Sequence, residues 1–252
     1  MLLATSRPVV LYLAVLSACG HAPSAIAPAA PGAPPAELRV PGLDEHRSSP
    51  RFLADRIYVI GRSDTRIAYV NEPADDACGC YTPEIMVLDL KTGKLIWKDS
   101  YDSGELDPAN TSQLKNLDQL WRARGADWER HVREHGITRE PAVTIEAIPS
   151  GGTAVPRVEI HTEKIGDDSP EGYAHLTFYR IDLVSAVTTP QVATTTRGSE
   201  YDLLDVSVPG YVPARDRGHA AVLVLEERRG AEGTPTLSRL HFVGADLHDD
   251  LL

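Results

Sequence analysis

The chain has 252 residues, 25 of them basic and 36 acidic, for a net charge of −11. That balance argues against nucleic-acid binding, which relies on cationic patches that release counterions from phosphate. It also argues against flat adsorption on anionic lipid. The stretch from position 43 onward is long enough for one good hydrophobic core.

The first 18 residues carry Arg7, no acidic residue, and an apolar run from Pro8 to Leu16. Such a run falls short of the ~20 residues a membrane-spanning helix needs. It fits the core of an export signal, followed by small residues at a cleavage site. Leu16-Ser17-Ala18-Cys19 resembles the lipobox of bacterial lipoproteins. The resemblance implies cleavage before Cys19, a diacylglyceryl group on its sulfur, and attachment to a membrane through that lipid. Two or more acyl chains hold a protein firmly where a single one anchors marginally. Gly20 is similar to the residue that follows the cysteine in lipoproteins sent to the outer membrane of two-membrane bacteria. Without residues 1–18 the balance becomes 24 basic against 36 acidic side chains, which leaves attachment to the lipid alone. Residues 22–36, APSAIAPAAPGAPPA, are almost all Ala and Pro. They favour extended polyproline geometry at about 3 Å per residue. The expected organisation is a signal peptide at 1–18, a lipidated cysteine and tether at 19–42, and a single β-rich domain at 43–252.

Within the domain, IYVI at 57–60 and RIAYV at 66–70 read as paired strands around the turn GRSDT. ADDACGCYTPE at 74–84 follows as a loop with Cys78 and Cys80. IMVLDLKTGKLIWKD, 85–99, then gives two apolar runs around Lys91-Thr92-Gly93, the pattern of a hairpin. This stretch resembles one hairpin of a β-propeller blade. It occurs once, whereas a propeller repeats its blade at least four times.

Over 108–136, Leu114, Leu117, Leu120, Trp121, Trp128 and Val132 recur at helical spacing. The expectation is one amphipathic helix at about 109–135, capped by Asp107, Asn110 or Thr111, weakened by Gly125 and stopped at Gly136. Strands are expected again at 143–148, 157–163, 173–184, 202–208, 219–227 and 236–243, with one wet face at 158–163 and 175–181. No regular βα alternation is present, so the fold class is α+β, mainly antiparallel β with one helix. The layout resembles predicted secreted bacterial proteins of unknown function, a likeness that implies no activity.

Three constellations carry possible chemistry. His131-Val-Arg-Glu134-His135 matches H-x-x-E-H, which on a helix turns two imidazoles to one face for a metal with a glutamate base. The sequence identifies no third ligand, although Glu146 and Glu159 are available in principle. The C-terminal HFVGADLHDDLL gathers His241, Asp246, His248, Asp249 and Asp250, a cluster for a divalent cation or a solvated acidic tail. Once Cys19 carries lipid, Cys78 and Cys80 form an even pair in an exported domain, where thiols oxidise. They read as a disulfide clip, with a labile redox pair, two metal ligands or free thiols as the other readings. No nucleophile elbow, phosphate loop or dinucleotide fingerprint is present, and no cofactor is called for. The leading expectation is a lipid-anchored cell-envelope protein with a non-catalytic binding or scaffolding domain for an envelope protein or small molecule. The alternatives are a metal-dependent hydrolase using His131, Glu134 and His135, or a thiol-redox protein using Cys78 and Cys80.

Overall fold

The structure, a computed structural model, describes residues 32–43, 52–74, 79–107, 109–148, 157–166, 175–184, 191–197, 203–229 and 236–247. The lipobox with Cys19, the first part of the tether, Cys78, and His248, Asp249 and Asp250 lie outside the described residues.

In chain order the elements are β1 (Phe52–Ala54), β2 (Arg56–Arg62), β3 (Arg66–Glu72), β4 (Glu84–Asp89), β5 (Leu95–Ser100) and α1 (Leu117–Glu134). There follow β6 (Thr138–Arg139), β7 (Arg157–Ile165), β8 (His175–Val184), β9 (Gln191–Arg197), β10 (Leu203–Pro213), β11 (His219–Arg228) and β12 (Thr236–Asp246). They make a five-stranded sheet ordered β5-β4-β3-β2-β6, a four-stranded sheet ordered β1-β12-β11-β10, and a three-stranded sheet β7-β8-β9. Every pairing is antiparallel except β1 with β12. The mainly antiparallel α+β class read from the sequence is the class observed.

Strand alternation stacks these elements in four layers. On β3, Ile67 and Tyr69 turn to one side and meet Leu223 and Leu225 of β11 and Leu240 and Phe242 of β12. Ala68 and Val70 turn to the other side and meet Leu120, Trp121, Trp128 and Val132 of α1. On β11, Val222 and Val224 point away from the five-stranded sheet and pack on Tyr179, Ile181 and Leu183 of β8. Both inner sheets are therefore covered on both faces, which is why IYVI and HAAVLVL read as continuous apolar runs. The outer three-stranded sheet keeps a wet face, carrying Glu159, His161, Arg180 and Asp182, while Ile160, opposite Ile181, stands at the exposed margin of the packed face.

The folded part starts earlier than position 43. Leu38 N–H donates to Ile57 O at 2.7 Å, and Leu38, Val40 and Leu43 are buried between the two inner sheets. Apolar side chains at alternate positions past the last Ala-Pro residues give this segment a place in the core. The tether read as ending at 42 thus gives way to packed chain by about residue 37.

The helix is shorter than expected. It begins at Leu117, not near 109, because Asn116 is the N-cap and its Oδ1 accepts from Gln119 N–H at 3.0 Å. Gln119 Oε1 accepts in turn from Lys115 N–H at 2.7 Å, a reciprocal arrangement like a capping box. Asp107 and Asn110 cap turns instead, accepting from Ala109 and Ser112 N–H. The helix stops as expected: Gly136, at φ 72°, donates to Arg133 O while Ile137 donates to Val132 O, a Schellman ending. Gly125 has a positive role, since a Cβ there would lie 2.9 Å from the Trp121 indole. Its absence lets that ring lie along the helix and meet Trp128 edge-on at 5.9 Å.

Residues 143–148 are not a strand. They touch the four-stranded sheet through one bridge, Glu146 with Tyr211, although Val143 and Ile145 pack on its core. Strands β1, β6 and β9 were not expected from the sequence.

Candidate functional site

The expected hairpin is β4–β5, and it puts β5 at one edge of the five-stranded sheet. Asp89 fixes its turn by accepting from Thr92 N–H and Oγ1–H, both at 2.8 Å. Beside β5, against α1, runs a groove of about 370 Å³ walled by Trp97, Asp99, Arg124, Trp128, Arg130 and His131. Trp128 Nε1–H donates to Asp99 Oδ2 at 2.7 Å, and Arg124 lies 3.8 Å from the same oxygen. Arg124 also donates to Ser100 O and lies over the Tyr101 ring at 5.4 Å. Leu95 and Ile96 on the strand stand 49% and 39% exposed.

His131 lines this groove, and His135 follows it one helical turn on. The imidazoles of His131 and His135 share a helix face, but that face is turned onto Trp97. His131 stacks on the indole at 5.0 Å and His135 tilts against it at 6.5 Å. Glu134, the candidate base, receives His131 Nδ1 at 3.0 Å and Arg130 at 3.2 Å. The proposed third ligands are elsewhere: Glu146 accepts from Arg217 and Tyr211, and Glu159 accepts from Arg157 on the outer sheet. Among the described residues no group of three or more His, Cys, Asp or Glu converges as a metal site.

Cys80 is disulfide-bonded; the other two cysteines lie outside the described residues. Its backbone bridges to Glu105, and Tyr81 and Ser103 tie the same two segments together. The loop before the hairpin is thus fastened to the segment leaving it.

A second cleft, of about 480 Å³, was not foreseen from the sequence. It follows the side of β12 that faces away from β11, past the short β1, and includes Asp55, Asn71, Glu226, Arg228, Arg239 and His241. Asp55 is 2% exposed. Its carboxylate accepts from Ala74 N–H at 2.8 Å, Arg239 at 3.0 Å and Leu240 N–H at 3.0 Å. Burial pushes its pKa up, and these donors only partly offset that. Asn71 donates to Leu240 O at 3.2 Å, and the Tyr69 hydroxyl meets the Phe242 backbone. At Gly244 the edge comes so close to Leu90 that a Cβ would lie 2.5 Å from its carbonyl oxygen.

Glu226 lies beside this edge. Burial works to raise its pKa, but the Tyr179 hydroxyl at 2.6 Å, His241 and Arg228 prevail and hold it below the usual value. Burial lowers the pKa of His241, assisted by Arg228 and opposed by Glu226 and Asp55. The C-terminal cluster read from the sequence is split along β12: His241 pairs with Val224, whereas Asp246 pairs with His219 and lies 3.9 Å from its Nε2. The legible trace of the second cleft is Glu226, the acid that ends the apolar run of β11, which the sequence reading takes only as strand.

Comparison with known protein families, curated proteins and solved structures finds no match.

Proposed function

We propose that the chain is a lipid-anchored cell-envelope protein whose β-rich domain holds a partner without transforming it. The observation that carries this reading is the burial of the chain immediately after the Ala/Pro-rich run. In the sequence an Ala/Pro-rich run follows the lipobox-like stretch, and Leu38, Val40 and Leu43 just after it are in the central core, the order expected of a tethered domain. The non-catalytic part is supported by the two clefts. In them Asp55, Asp99 and Glu226 are each already engaged by buried or arginine donors that hold the shape of the clefts.

The test is lipid attachment of the full chain. Wild type is expected in the membrane fraction and to incorporate labelled fatty acid, and Cys19→Ala is expected to lose both. Unchanged labelling and fractionation of Cys19→Ala would remove the anchored reading.

A further inference from the structure

The cleft along β12 contains charges that are already spent and polar groups that are not. Asp55 takes Arg239, Glu226 takes Arg228, and Glu84 takes Lys98. An ion entering among these pairs would lose its water and leave one charge unmatched. Asn71 stands differently. Its Nδ2–H donates to Leu240 O, while its Oδ1 is buried and, among the described residues, receives no donor. A buried acceptor left unmet is costly, so it marks a place for a donor. Arg239 and His241, two apart on β12, project to one face of their sheet and line the same cleft. The His241 ring makes no hydrogen bond among the described residues. Burial keeps it neutral near pH 7, so it offers one donor and one acceptor. Arg239 spends only Nη1, on Asp55 and the Ala74 carbonyl, and its other N–H groups remain as donors.

We propose that this cleft binds an uncharged ligand of monosaccharide size through its hydroxyl groups. A hydroxyl both donates and accepts. One donates to Asn71 Oδ1, a neighbour accepts from Arg239, and a third meets His241 in either tautomer. These three groups come from β3 and β12, strands of different sheets. A ring with hydroxyls around its rim therefore fits them better than a planar amide, which carries its donor and acceptor at one end. An apolar molecule would leave Asn71 Oδ1 unmet, and a carboxylate or ammonium would upset the balance of the ion pairs. The volume of about 480 Å³ lies in the range of small-ligand clefts, and Pro73, Leu237 and Leu240 supply apolar wall for the carbon face of the ring. The buried acids Asp55 and Glu226 are supports here, and the neutral groups make the contact.

This inference names a ligand class for the binding reading and rests on it. The test uses the full chain in a detergent without a sugar headgroup. The probes are glucose, galactose, mannose and N-acetylglucosamine, with glucuronate and glucosamine as charged counterparts. At least one neutral sugar is expected to bind saturably in calorimetry, about tenfold tighter than either charged one. It should shift the side-chain amide signals of Asn71 and the ring signals of His241 in nuclear magnetic resonance spectra. His241→Phe, which keeps a ring but removes its hydrogen bonds, should weaken binding by about tenfold, and His241→Gln should recover most of that loss. Absence of saturable binding by all four neutral sugars would overturn the proposal, and so would equal affinity for a charged counterpart. Binding that leaves the Asn71 and His241 signals of the wild type unmoved would overturn it too, a readout that stands even where His241→Phe fails to fold. Conversion of a bound sugar to product would instead overturn the non-catalytic reading and leave this site in place.

Discussion

Beyond Ser238 the free side of β12 is met in turn by Asp55, Asn71, Tyr69 and the backbone of Leu90, whereas along residues 95–99 the free side of β5 meets no such device among the described residues and carries a bulge at Ile96 instead. The β12 edge lies in the central layers, where an unpaired backbone group is cut off from water and costs about as much as a lost hydrogen bond. The β5 edge lies at the rim, where water can satisfy the same groups. One edge is closed by side chains in the interior, and the other lies within reach of water. The contrast teaches that the buried charge beside β12 marks architecture, where backbone groups cannot reach water.

The largest expected effect is at the closed edge. Asp55→Ala strands the Arg239 guanidinium and the Leu240 N–H, and should cost about 3–5 kcal/mol of stability in urea denaturation. A loss below about 1 kcal/mol would mean that water replaces the carboxylate, and the distinction between the edges would blur. Asn71→Ala leaves the Leu240 carbonyl without its amide donor, and about 1–3 kcal/mol should be lost by the same measurement.

Acid should act on the same cleft with a definite sign. His241 is held below its ordinary value of 6.5, so its stability contribution is fully present above that pH and is lost as pH falls through 6.5 toward the folded value. Glu226, held below 4.5, adds a further loss at lower pH, while Asp55, raised above 3.8, works the other way. The midpoint of urea unfolding should fall between pH 7 and 5.5 in wild type and stay flatter in His241→Gln. An identical decline in both proteins would assign the acid sensitivity to other groups. The smallest effect is expected at the open edge: Ile96→Thr should change stability by no more than about 0.5 kcal/mol in the same assay. A cost of several kcal/mol would show that Ile96 is covered, and the edge would not be open.

What the sequence disclosed follows from how local each interaction is. The β4–β5 hairpin and the Gly136 stop were legible because turn chemistry acts over a few residues. The helix start was misplaced although Asn116-x-x-Gln119 is a capping signature, because Asp107, Asn110 and Thr111 offered the same residue types earlier. Apolar content made 143–148 look like a strand, yet one bridge is all that it forms. The closed edge was hidden for a different reason. Asp55 and Arg239 are 184 positions apart, and Asn71 and Leu240 are 169 apart. No window of sequence brings them together before the sheets stack. The histidine pair shows the converse: its spacing was visible, but the indole that fills the shared face comes from β5, outside the helix.

The entry of the N-terminal segment into the core has a mechanical consequence. Tension arriving along that segment would not first meet a surface loop. It would pull on the bond from Arg139 to Ala33 O, then on the Glu37–Tyr58 bridge, and then draw Leu38, Val40 and Leu43 from between the two inner sheets. The domain would therefore respond to stretching as a wedge withdrawn from a joint, with its load borne by the same layer that gives the fold its cohesion.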